Sequence, residues 1–178
     1  MKNILTYALA ILAAVVLAAG AVCIGAVNGW QNERVQASTL GENNQELASL
    51  LDTRSMDAAN LAVVASRHLP ADDKQLCLLR DAQAVLASGK GSMEELLAAD
   101  ETITQIASEF GRTLPLLPSV QASPRDQVYV SMLTRTLAEG ESAKALFAGS
   151  AERFNQRMSS SLTGQLAMAL GVELLTVD

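Results

Sequence analysis

Few residues of the types that carry enzyme chemistry occur in this sequence. His68 is the only histidine in 178 residues. One histidine excludes a pair of helix-spaced zinc histidines and a di-iron site built from two Glu-x-x-His elements. We expect His68 to lie in the last turn of a helix, where a partly charged imidazole interacts favourably with the negative end of the helix dipole. The sequence therefore predicts no catalytic residues, no metal site and no cofactor.

The two cysteines lie in different parts of the chain. Cys23 falls within an apolar stretch and Cys77 within a more polar region, so we predict neither a disulfide nor a metal knuckle. Because Leu76 and Leu79 lie close to Cys77 in sequence, we expect this thiol to act as a small hydrophobic group in the core.

The segment Gly89-Lys90-Gly91-Ser92 resembles part of a phosphate-binding loop, since glycines, a lysine and a hydroxyl precede the start of a helix. The full motif needs two glycines separated by four residues, then Lys-Ser or Lys-Thr, after a strand. Neither the spacing nor the strand is present. We therefore interpret these four residues as a turn between two helices.

Three pairs of adjacent acidic residues have the carboxyl groups that general acid-base catalysis requires. They are Asp72-Asp73, Glu94-Glu95 and Asp100-Glu101. Adjacent residues point in different directions around a helix, and the first two pairs fall at helix starts, where negative charge is favourable. We therefore interpret all three pairs as solvated.

Three polar side chains lie on or beside apolar helix faces. Arg54 interrupts the apolar stripe between Leu50 and Ala58, so its guanidinium must reach water or find a carboxylate or carbonyl inside the fold. Asn60 and Asn155 flank a similar seam, where a buried amide fixes the register of packed helices by hydrogen bonding. Phe147, Phe154 and Tyr129 are expected to pack in the core. The candidate structural or interaction residues are Arg54, Asn60, Phe147, Phe154, Asn155 and Gly171.

The composition favours helices over sheets and disfavours a nucleic-acid partner. The chain is 49% hydrophobic, 18% charged and 3% aromatic, with few glycines and prolines. Abundant Ala, Leu and Met in this background are typical of an all-α fold. Thirteen basic and nineteen acidic residues give a net charge of −6, so no basic face is available to neutralise a phosphate backbone.

An uncharged stretch over residues 4–27 predicts a transmembrane anchor. A helix of this length reaches about 36 Å, which exceeds a hydrocarbon core of about 30 Å. A cleaved signal peptide has a shorter apolar region, of about 7–15 residues, and the best small-residue site, Val35-Gln36-Ala37, lies well beyond this stretch. Val22 disfavours lipid attachment at Cys23. Trp30 follows where an indole ring prefers the headgroup layer.

The charges on either side of the anchor predict its orientation. Lys2 and the α-amino group precede the anchor, whereas Arg34, the first cation after it, has Glu33 beside it. We therefore place residues 1–3 in the cytoplasm and the rest of the chain outside it. Without Lys2, twelve basic side chains stand against nineteen acidic ones, so that part carries −7.

Apolar periodicity predicts a neck over residues 28–42 and a helical domain over 43–178. We interpret the neck as weakly structured, with continuation of the anchor helix left open. Helix signals then divide the domain. They predict a helix ending at Leu69-Pro70, a second from Pro70 to Gly89, a third from Ser92 to Gly111, a connection over 112–122, a long helix over 124–160 and a short one over 163–170. Four apolar stripes joined by short connections predict an elongated antiparallel four-helix bundle with a short C-terminal helix.

With its residues arranged in this way, the chain resembles the LemA family of bacterial membrane-anchored proteins. That family has two aromatic-Asn pairs seven residues apart, then Phe-Pro, an aliphatic-Ala pair, and Gly followed by an apolar residue. The positions in this chain that keep these offsets are Phe147-Ala148, Phe154-Asn155, Ser161-Leu162, Leu166-Ala167 and Gly171-Val172. The first Asn and the Phe-Pro pair are absent. A weaker match lies in the first bundle helix, where the family has a basic pair followed by an Asp and a Pro-Asn-Leu run. This chain has Arg54 and Asn60-Leu61 there; half of the basic pair is absent, and Met56 and Ala59 replace the Asp and the Pro.

The resemblance implies a single-pass, non-catalytic helical bundle at the cell envelope whose biochemical role is poorly defined. Our first hypothesis is a scaffold or protein-interaction module in the bacterial plasma membrane, which binds other envelope proteins or itself. The alternative is a sensory module that binds a small ligand between its helices. A receptor needs a cytoplasmic output, however, and only residues 1–3 precede the anchor.

Overall fold

The computed structural model describes residues 2–40 and 44–177, and only the backbone of residues 2–6 and 8. Within these ranges the chain forms helices and no strand, so the predicted all-α class is confirmed. The helices are α1 (Lys2–Ala37), α2 (Gln45–Ala65), α3 (Lys74–Ser88), α4 (Met93–Thr113), α5 (Pro118–Gln121), α6 (Pro124–Glu139), α7 (Ala143–Ser160) and α8 (Leu162–Ala169). A 3-10 turn, Leu114–Leu116, separates α4 from α5.

The chain divides into two compact units. The described residues of Met1–Ser38 and Gly149–Asp178 form one, which we call the terminal unit, and those of Thr39–Ala148 form the central unit. By sequence, α7 begins in the central unit and ends in the terminal unit. This division differs from the predicted one into residues 4–27, 28–42 and 43–178. The predicted boundary between residues 42 and 43 lies outside the described residues.

The central unit is a four-helix arrangement of α2, α3, α4 and α6. Each of these helices packs against the next in the chain, and α6 packs back against α2. Arg54 of α2 contacts Leu137 of α6, while Arg67 contacts Asp126, so α2 and α6 run antiparallel. The largest fully buried side chains of this core are Leu61, Leu76, Leu79, Ile103, Leu114, Val120, Val130 and Leu137.

Several helix ends are as the sequence predicts. Ser92 and Glu95 form a reciprocal capping box at the start of α4. Gly89 ends α3 with φ of +56°, in the left-handed region that favours glycine. Ser123 caps α6, where its Oγ accepts a hydrogen bond from the Asp126 N–H, and Pro124 occupies the first turn. Local hydrogen-bonding preferences therefore determine these ends.

The predicted junction between the first two bundle helices is wrong. α2 ends at Ala65 rather than Leu69, and α3 begins at Lys74 rather than Pro70. The Asp73 carboxylate accepts a hydrogen bond from the Leu76 N–H at 3.0 Å, so Asp73 rather than Pro70 starts the helix. A side-chain cap satisfies an otherwise free N–H, which proline cannot do.

The connection after α4 is more structured than predicted. α4 continues through Gly111 to Thr113, and the 3-10 turn and α5 follow. Leu114 and Val120 are buried in the core, whereas Leu116 is 73% exposed. Pro115 and Pro118 end the regular α4 helix, but each lies within a short helical turn of its own.

The predicted single helix over 124–160 is interrupted, with α6 ending at Glu139 and α7 beginning at Ala143. The Arg54 guanidinium donates to the Leu137 carbonyl oxygen at 3.1 Å, which gives that carbonyl a partner outside its own helix. A Cβ at residue 140 would collide with the Thr136 carbonyl oxygen, so glycine fits the break. The apolar stripe predicted along this segment is buried on both sides of the break, at Leu133, Leu137, Ala143, Phe147, Ala151, Phe154 and Met158.

In the terminal unit, α1 packs along α8. The region predicted as a neck is helical as far as Ala37, which is the continuation that the sequence left open. A hydrophobic cluster joins α1, α7, α8 and the segment after α8. Its members are Val27, Trp30, Ala37, Phe154, Met158, Ala167, Met168, Val172 and Leu175. We call it the terminal cluster.

The steric account of the α6–α7 break is testable with two alanine substitutions. Gly140→Ala should lower the free energy of unfolding by about 1–3 kcal/mol, because its Cβ meets the Thr136 carbonyl. Gly149→Ala, within α7 and with open space around its Cα, should be neutral or stabilising by up to about 1 kcal/mol. Denaturant melts of the two purified full-length variants measure this. Equal stability of the two would contradict the account.

Candidate functional site: the bare apolar helix and its packed end

The N-terminal part of α1 presents apolar side chains that pack against nothing in the described structure. Residues 9–22 are all exposed, among them Leu17 at 74% and Ile11 at 66%. The range Leu9–Ala37 is long and apolar enough to cross a membrane. Its most apolar window of 18 residues has a mean hydropathy of 2.7, and only 6% of that window is buried. The predicted presence of one helix able to span a bilayer is confirmed on length and composition.

The surroundings of α1 change abruptly near the end of the predicted span. Among the side chains of α1 that the structure describes, Ala26 is the first that is buried, at 8% exposure, and Val27 and Trp30 belong to the terminal cluster. Residues 9–25, which precede Ala26, form a stretch of helix about 26 Å long at 1.5 Å per residue. One continuous helix therefore has a largely bare stretch followed by a packed stretch.

Trp30 is held in the terminal cluster by an edge-to-face aromatic contact and by a hydrogen bond. Its ring meets that of Phe154 edge-on, with centroids 5.8 Å apart and an interplanar angle of 69°. Its Nε1–H donates to the Thr163 hydroxyl at 3.3 Å. Trp30 thus joins α1 to both α7 and α8.

Two ion pairs continue along the same part of α1. Arg157 Nη2 lies 3.5 Å from Glu33 Oε2, and Arg34 Nη2 lies 4.0 Å from Glu173 Oε2. These side chains are partly or largely exposed, so each pair contributes little to stability on its own. Their effect is to align α1 with the segments that pack on it.

Asn155 and Gly171 fix the segment that follows α8. The Asn155 amide donates to the Leu175 carbonyl oxygen and accepts from the Leu175 N–H, both at 2.9 Å. Gly171 has φ of +98°, and the Val172 N–H donates back to the Ala167 carbonyl, which is a Schellman end to α8. The sequence predicts a buried amide that bonds across helices, whereas Asn155 binds a non-helical backbone.

Arg54 lies at the centre of the central unit, and its side chain is 5% exposed. Its Nε donates to the Asp100 carboxylate of α4, while Nη2 donates to the Thr104 hydroxyl at 2.6 Å and to the Leu137 carbonyl of α6. The partner that the interrupted stripe requires is therefore Asp100, supplemented by a carbonyl. One guanidinium connects α2, α4 and α6.

Four predictions about individual side chains are wrong. Asp100 is buried against Arg54 rather than solvated, and Asn60 is exposed rather than buried in a seam. Tyr129 is 36% exposed, with the Arg125 guanidinium 5.6 Å from its ring centre, and Cys77 is also exposed. Asn60, Cys77 and Tyr129 each lie next to a buried residue in sequence, so the helix turns their side chains away from the core. Phe147 and Phe154, by contrast, are buried as expected.

His68 belongs to a polar cluster that the sequence does not reveal. It lies in the turn after α2, where its Nε2 is 3.0 Å from Asp126 Oδ2, and Arg67 Nη1 is 2.8 Å from Oδ1 of the same carboxylate. Burial alone raises the pKa of Asp126, but hydrogen bonds from His68 and Ser123 and the charge of Arg67 outweigh it and lower the pKa below its ordinary value of 3.8. The end of α2 is thereby fixed to the start of α6. The expected interaction of His68 with a helix dipole is replaced by this contact.

A shallow groove lies on the outer side of α6, beside α5 and the turn before it. Val128 and Met132 are 66% and 51% exposed there. Its lining residues are Pro115, Val120, Gln121, Gln127, Val128, Ser131, Met132, Arg135 and Thr136. The groove is a surface feature rather than a cavity among the four helices.

The described residues contain no cluster of three or more His, Cys, Asp or Glu side chains that could hold a metal ion. The chain matches no family model, no curated protein sequence and no solved structure.

Removing one partner of the buried Arg54–Asp100 pair should destabilise the chain far more than removing one partner of an exposed pair. Arg54→Met leaves the Asp100 carboxylate buried without its partner and should cost about 3–5 kcal/mol of unfolding free energy. Arg135→Met, which removes an exposed pair with Glu139, should cost no more than about 0.5 kcal/mol. Combining Arg54→Met with Asp100→Leu should restore most of the loss. Denaturant melts measure all three, and a single Arg54 variant as stable as the Arg135 variant would refute the assignment.

The Asp126 contacts should give stability a specific pH dependence. Since the pKa is lowered in the folded chain, the carboxylate stabilises the fold fully above about pH 4, and this contribution is lost as the pH falls through the lowered pKa. Asp126→Asn should therefore be less stable than the parent at pH 6, and the difference should shrink below pH 4. Unfolding measured from pH 6 to pH 2.5 tests this; a difference that stays constant over the range would contradict it.

Proposed function

We propose that this chain is a single-pass membrane protein of the LemA type that acts without catalysis, as a scaffold or protein-interaction module at the bacterial cell envelope. The observation that carries the proposal is the change along α1 from bare apolar surface to packed side chains at Ala26. A bare apolar helix of this length is costly in water and favourable in lipid. The packed remainder fixes the helix to the rest of its unit.

The packing at the end of α1 supports an anchor that is retained rather than cleaved. Processing at Val35-Gln36-Ala37 would remove Val27 and Trp30 from the terminal cluster and leave Phe154 without its aromatic partner. Ala37 is itself buried, at 6% exposure, and lies within the helix. A peptidase needs an accessible, extended segment, so this site favours retention.

The charge distribution supports the orientation inferred from the sequence. Lys2 precedes the apolar stretch and would stay in the cytoplasm, residues 4–27 would span the plasma membrane, and the acidic remainder would lie outside. An acidic region is repelled by anionic lipid, so we expect no electrostatic recruitment of the central unit to the membrane surface.

Exposed apolar side chains on the central unit support a role in protein interaction. Val128 and Met132 lie in the groove on α6, and Leu116 nearby in sequence is 73% exposed. Apolar groups clustered on a surface mark interaction sites, and methionine adapts to partners of different shape. The buried ion pairs and the one histidine, by contrast, hold helices together. We therefore assign the interaction to this surface, with envelope proteins or a second copy as the partner.

The anchor is tested by extracting membranes that contain the full chain with alkaline carbonate. The chain should stay in the membrane fraction, and its intact mass should include residues 1–37. Leu12→Arg combined with Val16→Arg, both in the bare stretch, should release it, because each arginine costs about 2.5–3.5 kcal/mol at the centre of a spanning helix. Recovery of a chain beginning at Ser38 from the aqueous fraction would refute the anchor.

The interaction module is tested by photo-cross-linking in intact membranes. A photoreactive residue in place of Val128 or Met132 should give adducts larger than the monomer. Glu101, on the exposed side of α4, is a matched control position and should give few adducts. A monomer alone at all three positions, under every growth condition, would contradict this role.

A further inference from the structure

The segment around α8 is free of charge although it belongs to a largely exposed surface. Between Arg157 and Glu173 the sequence contains no Asp, Glu, Lys or Arg. Its helix, α8, begins at a Ser161 cap and ends at the Schellman turn of Gly171. Surface helices of water-soluble proteins usually carry charges on their outer face, so the composition of this segment needs another explanation.

Leucines lie at both ends of α8 and are not covered. Leu162 is 85% exposed and Leu170 is 50% exposed, whereas Gly164 and Ala167 form the buried side of the helix. Leu174, after the Schellman turn, is 41% exposed. The outer side of α8 is therefore apolar at both ends and uncharged between them.

The position of α8 explains what could cover these leucines. α8 packs along α1, and its Thr163 accepts a hydrogen bond from Trp30. Ala167 lies in the same cluster as Val27, the last residue of the predicted span. α8 is thus placed beside Val27 and Trp30, which follow directly on the bare stretch of α1.

We propose that α8 lies in the interfacial layer of the bilayer, with Leu162 and Leu170 inserted among the headgroups and upper acyl chains as a second membrane contact. This inference rests on the proposed anchoring by α1. Interfacial helices commonly combine apolar burial with basic residues that bind anionic lipid. α8 has no basic residues, so its contact depends on apolar burial alone and should be insensitive to salt and to lipid charge.

The test measures lipid contact at single positions of the full chain. Cys23→Ala and Cys77→Ser remove the native thiols, and Leu162→Cys or Leu170→Cys introduces one site for an environment-sensitive fluorophore. Val16→Cys, in the bare stretch, is the reference for lipid, and Gln156→Cys, exposed on α7 within the same unit, is the reference for water. The labelled chains are reconstituted into vesicles of zwitterionic phosphatidylcholine that contain brominated lipid as a quencher.

The expected result is quenching at positions 162 and 170 at least about threefold above that at position 156, and unchanged from 0.1 to 1 M salt. Quenching at position 16 with both leucine positions equal to position 156 would overturn the second contact and leave the anchor intact. No quenching at position 16 would overturn the anchor as well. Since no other protein is present in these vesicles, leucines that are covered by a protein partner would also resemble position 156, and that result counts against the proposal.

Discussion

A guanidinium removed from water must have hydrogen-bond partners, and this requirement organises the central unit. Arg54 is almost fully buried and reaches a carboxylate, a hydroxyl and a carbonyl on two other helices. Because these partners must surround one planar group, α2, α4 and α6 are fixed in depth and rotation relative to one another. The same contact occupies the Leu137 carbonyl, and α6 ends two residues later. A single buried charge thus connects three helices and also occupies a carbonyl in the last turn of α6.

The need for the Arg54 partner could be predicted from the sequence, but the partner could not. An interrupted apolar stripe shows that a cation will be buried, since periodicity within one helix is visible locally. Which carboxylate lies opposite depends on how the helices pack, and Asp100 is 46 residues away. The same limit applies to His68 and Asp126. The helix break at Gly140 is not predictable from the sequence for a related reason. An isolated glycine is tolerated within a helix, and the Arg54 guanidinium that bonds the Leu137 carbonyl beside the break comes from α2.

Helix starts and the long apolar helix are the most predictable features because their causes are local. A Ser or Asp side chain at a helix start accepts a hydrogen bond from the N–H three residues later, so the cap is visible in the sequence. The length of an apolar stretch can be counted directly. Local signals are ambiguous where two of them lie close together. Pro70 and Asp73 both favour a helix start, and the structure uses the Asp73 cap. The terminal cluster is different, since Trp30, Phe154 and Leu175 come from distant parts of the chain. The sequence predicts that Phe154 packs in the core and that Asn155 forms a buried hydrogen bond, but it does not predict the groups that they contact.

Trp30 is the only tryptophan of the chain, and it lies in a defined environment of the terminal unit. Its intrinsic fluorescence therefore comes from that unit alone, while the far-ultraviolet circular dichroism of the chain averages over all helices. Heating or denaturant titrations followed by both signals separate the unfolding of the two units without any label. The chain thus contains a built-in optical probe at the junction between its apolar helix and the segments that pack on it.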